Sequence, residues 1–77
     1  MINETNVKCF LVLAETLNFT KAAKKLYMTQ QAVSKNISKL EKEMGFPLFV
    51  RTHHFVVLTR AGESFYKLLS GFKTAFD

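Results

Sequence analysis

Apolar side chains recur at helical spacing between residues 29 and 44, and this stretch predicts the central helix of the chain. The apolar positions fall at i, i+4, i+7 and i+11 and therefore form one stripe: Val33, Ile37, Leu40 and Met44. Because successive helical residues are rotated by about 100°, the opposite face is polar and basic. It carries Gln31, Lys35, Ser38 and Lys42, with Ser34 on its flank. Thr29 is the expected N-cap of this helix, and Gly45 is expected to end it.

A shorter apolar stripe lies directly upstream and predicts a second helix, capped by Asn18 or Thr20. Its members are Phe19, Ala22, Ala23 and Leu26. The adjacent alanines are small enough to let two helices cross closely, and a break of only two residues precedes Thr29. Helices joined by so short a turn must cross steeply, so residues 19–38 predict a helix-turn-helix. An ordinary helical hairpin within a bundle is the alternative interpretation.

A first helix is predicted between Asn3, its expected N-cap, and Asn18. Its inward stripe is expected to contain Val7, Phe10, Leu13, Ala14 and Leu17.

Two short apolar runs after Pro47, residues 48–50 and 55–58, predict a two-stranded wing. The residues between them, 51–54, are expected to form the hairpin tip. An isolated hairpin is unstable in water, so the wing is expected to pack on the helices. The expected contacts are Leu48, Phe49 and Leu58.

A last helix is predicted from its cap, Thr59, to the C-terminus. One side of it carries a large apolar stripe, which we call the dimer seam: Phe65, Leu68, Leu69, Phe72 and Phe76. A stripe of this size needs cover, and we expect a second chain to supply it; packing on its own domain is the alternative. The predicted fold is mainly α, a winged helix-turn-helix with a three-helix core in residues 1–58. Residues 59–77 are expected to begin a linker and dimerisation helix.

The charge of the chain is concentrated in its middle. The formal net charge is +5 and the sequence pI is about 9.6. Between Lys21 and Arg60 there are eight basic residues and only two acidic ones. A basic region between nearly neutral ends favours an anionic partner, either nucleic acid or a membrane surface. A basic surface that serves solubility alone is the alternative interpretation.

Other kinds of chemistry find little support in the sequence. Cys9 is the only cysteine, so no internal disulfide can form, and a buried apolar role is expected for it. One cysteine and two adjacent histidines do not have the spacing of a metal site. Neither a nucleophile–base pair nor a signal peptide is recognisable, and no apolar run has transmembrane length. We therefore expect a cytoplasmic protein that is not an enzyme and holds no metal or cofactor.

The pattern of residues along the chain resembles that of a known family. A specific run extends from the central helix into the last one, and shorter matches lie in the helix-turn-helix. The run comprises Leu40-Glu41, Gly45, Pro47-Leu48-Phe49, Arg51, Leu58-Thr59 and Ala61-Gly62; the shorter matches include Asn18-Phe19-Thr20, Ala22-Ala23 and Ala32-Val33-Ser34. In order and spacing, nearly the whole chain resembles the N-terminal DNA-binding domain of a LysR-type bacterial transcriptional regulator.

The resemblance implies a winged helix-turn-helix whose recognition helix enters the major groove and whose wing contacts the neighbouring backbone. It also implies a homodimer formed through the linker helix, and leaves open a tetramer of the whole regulator. Regulators of this kind carry a C-terminal domain that binds a small-molecule effector. Because no such domain is present, the chain is expected to be a truncated piece of a longer regulator.

Two groups of DNA-contacting residues are expected. Gln31, Ser34, Lys35 and Ser38 would face base edges. Contacts to phosphates would come from Thr20, Lys21, Thr29, Gln30, Lys42 and Arg51.

Some positions depart from the family pattern. Gln31 stands where the family usually has Pro or Ser, and Lys35 where it has Arg, which replaces a planar fork by a point charge. His54, Phe55 and Val57 occupy wing positions that are often basic, so fewer wing contacts are expected. Two other functions remain as alternatives: a protein-interaction module that uses the phenylalanine-rich last helix, and, far less supported, an enzyme.

Overall fold

The computed structural model describes residues 2–76, and side chains for residues 2–71. Six elements follow one another along the chain: α1 (Glu4–Thr16), α2 (Phe19–Leu26), α3 (Gln30–Met44), β1 (Phe49–Arg51), β2 (Val56–Leu58) and α4 (Arg60–Phe76). Three helices form the core, and the two strands form one antiparallel hairpin. The predicted winged helix-turn-helix is therefore confirmed.

Each of the four helices begins at a side chain that accepts a backbone hydrogen bond. The Asn3 Oδ1 accepts from the Asn6 amide at 2.8 Å, and the Thr29 Oγ1 accepts from the Ala32 amide at 3.0 Å. The start of α2 is capped by Asn18, whose Oδ1 lies 2.9 Å from the Lys21 amide, which decides between the two caps expected there. Thr59 caps α4 through the Gly62 amide at 3.0 Å. These caps satisfy amides that have no partner inside their own helix.

The first three helices end in the left-handed backbone conformation. Gly45 ends α3 with φ 85°, as expected, since glycine adopts this region at little cost. Leu17 and Tyr27 end α1 and α2 with φ 50° and 55°. The assignment of Leu17 to the inward stripe of α1 was wrong: it terminates the helix, and its side chain is 42% exposed.

The core lies between α1, α2 and α3. Its largest fully buried apolar side chains are Phe10, Leu13, Val33, Ile37, Leu40 and Leu48. Ala22 and Ala23 are also buried, where α2 meets the other two helices. This confirms the small-residue crossing predicted for the helix-turn-helix.

The wing is joined to the far end of α3 by a carboxylate. The Glu41 Oε2 accepts hydrogen bonds from the amides of Leu48, at 2.7 Å, and Phe49, at 3.1 Å. The strands differ from the prediction by one residue each: β1 is shifted to include Arg51, which pairs with Val56, and β2 is shorter because Phe55 belongs to the tip. Cross-strand pairing, rather than hydrophobicity alone, decides these boundaries.

The start of α4 packs tightly on the same domain. The Phe65 ring centroid lies 4.9 Å from that of Phe10, and Leu69 also packs on the core. Gly62 is required here, because a Cβ at this position would collide with the carbonyl oxygen of Leu48. Of the dimer seam, only Leu68 points to solvent among the residues whose side chains are described, with 63% exposure. The side chains of Phe72 and Phe76 lie outside the described residues.

Candidate nucleic-acid interface

The outward face of α3 is a continuous polar surface. Val33, Ile37 and Leu40 are completely buried on the inward side. The side chains predicted to face away from them are exposed: Gln31, Lys35, Ser38 and Lys42. Both faces of the helix are therefore as predicted. Such a surface of amides, hydroxyls and ammonium groups offers hydrogen-bond donors and positive charge to a ligand.

The N-termini of α2 and α3 are joined by a side-chain hydrogen bond. The Gln30 Nε2 donates to the Thr20 Oγ1 at 3.1 Å, across ten residues of sequence. Both residues are exposed, as is Lys21 beside them. Each helix N-terminus carries a partial positive charge and amide donors, so this end of the molecule is suited to bind an anion.

Arg51 links the wing to the outward face of α3. Its Nη1 donates to the Ser34 Oγ at 2.8 Å, and its guanidinium carbon lies 4.8 Å from the centroid of the Phe19 ring. Together with Gln30 and Gln31, these residues line an open notch between α2, α3 and β1. Below, "the notch" means these five residues.

Six of the ten predicted site residues fall into two groups; of the other four, Lys21 lies beside Thr20, Thr29 caps α3, and Lys35 and Ser38 are exposed on α3 between the two groups. Those near the notch come from three elements and lie together: Thr20, Gln30, Gln31, Ser34 and Arg51. Lys42 is twelve positions beyond Gln30, about 18 Å along the helix axis. It lines a separate depression with Lys39, Glu43, Asn3 and Asn6.

The acid closest to the notch along α3 is turned away from the outward face. Glu41 is half-buried, and its carboxylate accepts the two wing amides described above. Its negative charge is therefore used inside the fold. Residues 31–38 themselves contain no Asp or Glu.

Phe19 is a site residue that the sequence did not reveal as such. Its helical spacing placed it on the inward stripe of α2, and it does pack against the core. It is only half-buried, however, and Arg51 covers its ring. The pairing of Ser34 with Arg51 also bridges 17 positions of sequence. No local pattern reports such a contact; only the family motif places an arginine at 51.

The wing tip lies beside the start of α2. Residues 52–56 face Leu17, Asn18, Phe19 and Thr20 across a shallow surface depression. His53 and His54 are exposed there, with ring centroids 6.4 Å apart, and Phe55 is 69% exposed. The tip closes within itself, since the Thr52 amide donates to the Phe55 carbonyl at 2.8 Å. The tip thus offers two imidazoles next to the notch.

Cys9 is structural. It is completely buried, and its Sγ lies 3.8 Å from the Sδ of Met28. Burial raises the pKa of its thiol, although the nearby charge of Lys8 works against this. A thiol that stays protonated is a poor nucleophile.

The described residues contain neither a metal-binding cluster nor a membrane-spanning helix. Among them, no three His, Cys, Asp or Glu residues lie close enough together to hold a metal ion. Nor does this part of the chain contain a helix of the length and hydropathy needed to span a bilayer.

Residues 5–63 match the family model described as "Bacterial regulatory helix-turn-helix protein, lysR family". Among curated proteins, the chain is similar to "HTH-type transcriptional regulator AlsR" of Bacillus subtilis (strain 168), with 48% identity over 60 residues. This covers 78% of the chain and 20% of AlsR. The chain spans about a fifth of the length of the first curated relatives that it matches.

Solved structures share the fold. A LysR-family transcriptional regulator from Eggerthella lenta DSM 2243 superposes with a TM-score of 0.83 at 39% identity, covering 90% of this chain and 99% of that one. A second, described as "BenM_DBD/benA site 1 DNA Complex", gives a TM-score of 0.82 at 34% identity. The match covers 97% of this chain and 89% of that one.

Proposed function

The chain belongs to the LysR family of bacterial helix-turn-helix transcriptional regulators, and we propose that it binds duplex DNA sequence-specifically to control target operons. Its activity would be binding rather than catalysis, and its site of action the bacterial cytoplasm. The observation that carries this proposal is the notch. Side chains from α2, α3 and β1 meet there beside the exposed face of α3, and α3 and β1 supply the hydrogen-bond donors.

In this proposal α3 lies in the major groove and reads bases mainly from its N-terminal half, with a smaller contribution from Ser38. Gln31 is exposed and can donate to and accept from one adenine bidentately. Lys35, one turn further, would contact guanine acceptors as a point charge. Ser38 would read a base at the next turn. Each good bidentate contact contributes about 1–3 kcal/mol of discrimination between bases.

Contacts to phosphates would fix the position of α3 on the duplex. Thr20, Lys21, Thr29 and Gln30 surround the two helix N-termini, where the Lys21 ammonium and the positive end of each helix suit a phosphate. Arg51 would hold the backbone on the wing side, and Lys42 would reach it at the other end of α3. If about five phosphates are neutralised, log affinity falls against log salt concentration with a slope of about −4.5.

We further propose that two chains associate through α4. Leu68 is a large apolar side chain left exposed on this helix, whereas Phe65 and Leu69 already contact their own core. A dimer would read two half-sites that lie about one helical turn, or a multiple of it, apart. Sedimentation should show a concentration-dependent dimer, and a strict monomer at high concentration would remove this part of the proposal. Effector binding and any tetramer would belong to a longer protein.

Fluorescence anisotropy with a labelled duplex of random sequence tests the proposed binding. We expect tight binding at low salt and a linear loss of log affinity as salt rises. The protein-interaction alternative predicts no salt-sensitive binding to the same duplex. Absence of binding at low salt, with the fold intact by circular dichroism, would contradict the proposed function.

A further inference from the structure

Arg51 is held in place on the exposed side of the molecule by two different contacts. Its guanidinium donates a hydrogen bond to the Ser34 hydroxyl at 2.8 Å. It also lies 4.8 Å from the centroid of the Phe19 ring, within the range of a cation–π contact. The side chain therefore bridges from β1 to both helices of the helix-turn-helix before any ligand is present.

The backbone beneath Arg51 is fixed by the core. Arg51 and Phe49 are two positions apart on β1 and therefore share one side of the hairpin. Phe49 is only 5% exposed, and its ring centroid lies 5.5 Å from that of Phe10. The pairing of Arg51 with Val56 holds the strand in register. The arginine thus leaves the hairpin at a fixed point, facing α2 and α3.

Phe19 is equally well fixed. Its backbone lies in the first turn of α2, directly after the cap Asn18, and its side chain packs partly against the core. The ring therefore cannot follow Arg51 if the guanidinium moves away. One face of the ring supports the guanidinium, and the hydrogen bond to the Ser34 hydroxyl fixes its position on that face.

Most of the donors of the guanidinium are still available in this arrangement. Of its five N–H groups, one is used by Ser34. The remainder can form a planar fork that fits a phosphate. A flexible arginine would lose rotamer freedom on binding DNA, whereas this one has already lost much of it in the free protein.

We propose that Phe19 is a positioning residue for DNA binding, which acts by holding the Arg51 guanidinium ready for a backbone phosphate. Ser34 is the second positioning residue: its hydroxyl accepts from Arg51, and this, rather than base reading, is its main role. The proposal rests on the DNA binding proposed above, but the geometry that it requires exists in the free protein. An experiment can therefore contradict the positioning role of Phe19 without contradicting the proposed DNA binding, and the reverse.

The first test needs no DNA. In the free 77-residue chain, proton NMR should show the Arg51 side-chain protons shifted upfield by the Phe19 ring. Phe19→Leu should return these protons to random-coil positions, whereas Phe19→Tyr, which retains the ring, should leave them shifted. Arg51 shifts that are identical in the wild type and Phe19→Leu would overturn the proposal, whatever the protein does with DNA.

The second test is a double-mutant cycle on a labelled duplex of random sequence. Phe19→Leu should weaken binding about two- to fivefold, the range expected of an exposed cation–π contact. Arg51→Ala should weaken it by about tenfold or more and make the salt slope less negative by about 0.9. In the Arg51→Ala background, Phe19→Leu should have no further effect. Equal losses in both backgrounds would show that Phe19 acts through the fold and would overturn the proposal.

Phe46→Leu is the matched control for this cycle. Phe46 is a 42% exposed phenylalanine beyond the C-terminal end of α3 and is not part of the notch. The substitution should leave affinity unchanged. Phe19→Tyr should bind like the wild type, and failure of this variant to restore affinity would count against the ring as a platform. Thermal unfolding of each variant separates lost affinity from lost fold.

The role of Ser34 is tested by binding-site selection from random duplexes with Ser34 variants. Ser34→Ala should weaken binding to all duplexes alike and leave the preferred sequence unchanged, because it releases Arg51. Ser34→Thr, which keeps a hydroxyl, should lose less affinity. A changed base preference in Ser34→Ala would assign the hydroxyl to base reading and overturn its positioning role.

Discussion

The two halves of α3 present similar side chains to solvent but are supported in different ways. In the N-terminal half, Gln30 bonds to Thr20 and Ser34 bonds to Arg51, so neighbouring elements fix the outward face itself. In the C-terminal half, the contact to the wing is made from a half-buried position, through Glu41 to the amides of Leu48 and Phe49. Ser38 and Lys42 are exposed on the outward face of this half.

This difference indicates which half of α3 should determine the DNA sequence that is bound and which half should add to the affinity. Discrimination between bases requires donors and acceptors held at defined positions, because a mobile group can adapt to several bases. Attraction to phosphates is less demanding: a pre-positioned guanidinium such as Arg51 contributes to it, but a flexible lysine also supplies the charge. The contacts of Gln30 and Ser34 fix where the N-terminal half of α3 lies against its neighbours, so Gln31, which lies between them, should choose the sequence. The C-terminal half should hold the wing in place through half-buried Glu41 and add affinity for phosphates through exposed Lys42.

The largest effect is expected for Glu41, the half-buried residue through which the C-terminal half of α3 holds the wing. Glu41→Ala leaves the amides of Leu48 and Phe49 without their acceptor, so the free energy of unfolding should fall by about 1.5–3 kcal/mol. Glu41→Gln keeps one carbonyl acceptor and should lose less. Urea denaturation measures both variants. Wild-type stability in Glu41→Ala would mean that the wing does not depend on this half of α3.

The next effect concerns base reading by Gln31. Gln31→Ala should change the preferred base at one position of a selected site, with a loss of about 1–3 kcal/mol of discrimination there. Ser38→Ala is the control from the other half of α3, and its effect on the selected sequence should be smaller. Binding-site selection from random duplexes measures both. An unchanged consensus in Gln31→Ala would place base reading elsewhere on the helix.

The sequence was sufficient to predict the positions of the helices, because apolar stripes and capping residues are local features. Stripes at helical spacing and the caps Asn3, Thr29 and Thr59 depend on residues only a few positions apart. The outward face of α3 follows from the same periodicity.

Contacts between elements could not be predicted in this way. The Ser34–Arg51 bond depends on the exact register of β1 against β2, and the predicted strand boundaries were shifted. Leu17 was misplaced for a different, local reason: it fits the spacing of the stripe but adopts a left-handed conformation that ends the helix. The Phe19 platform was hidden because a half-buried ring has the same spacing as a core ring. The supported half of the interface is thus the part that only the structure reveals.

The smallest effect is expected for Lys42, in the half of α3 that adds affinity. Lys42→Ala should weaken binding to every duplex, by no more than about fivefold, because an exposed charge contributes little. The salt slope should become less negative by about 0.9, since one phosphate contact is lost. The consensus obtained by selection should stay that of the wild type. Anisotropy titrations at several salt concentrations, on a selected and a random duplex, measure all three. A loss confined to the selected duplex would show that Lys42 reads sequence, and the division between the two halves of α3 would then be wrong.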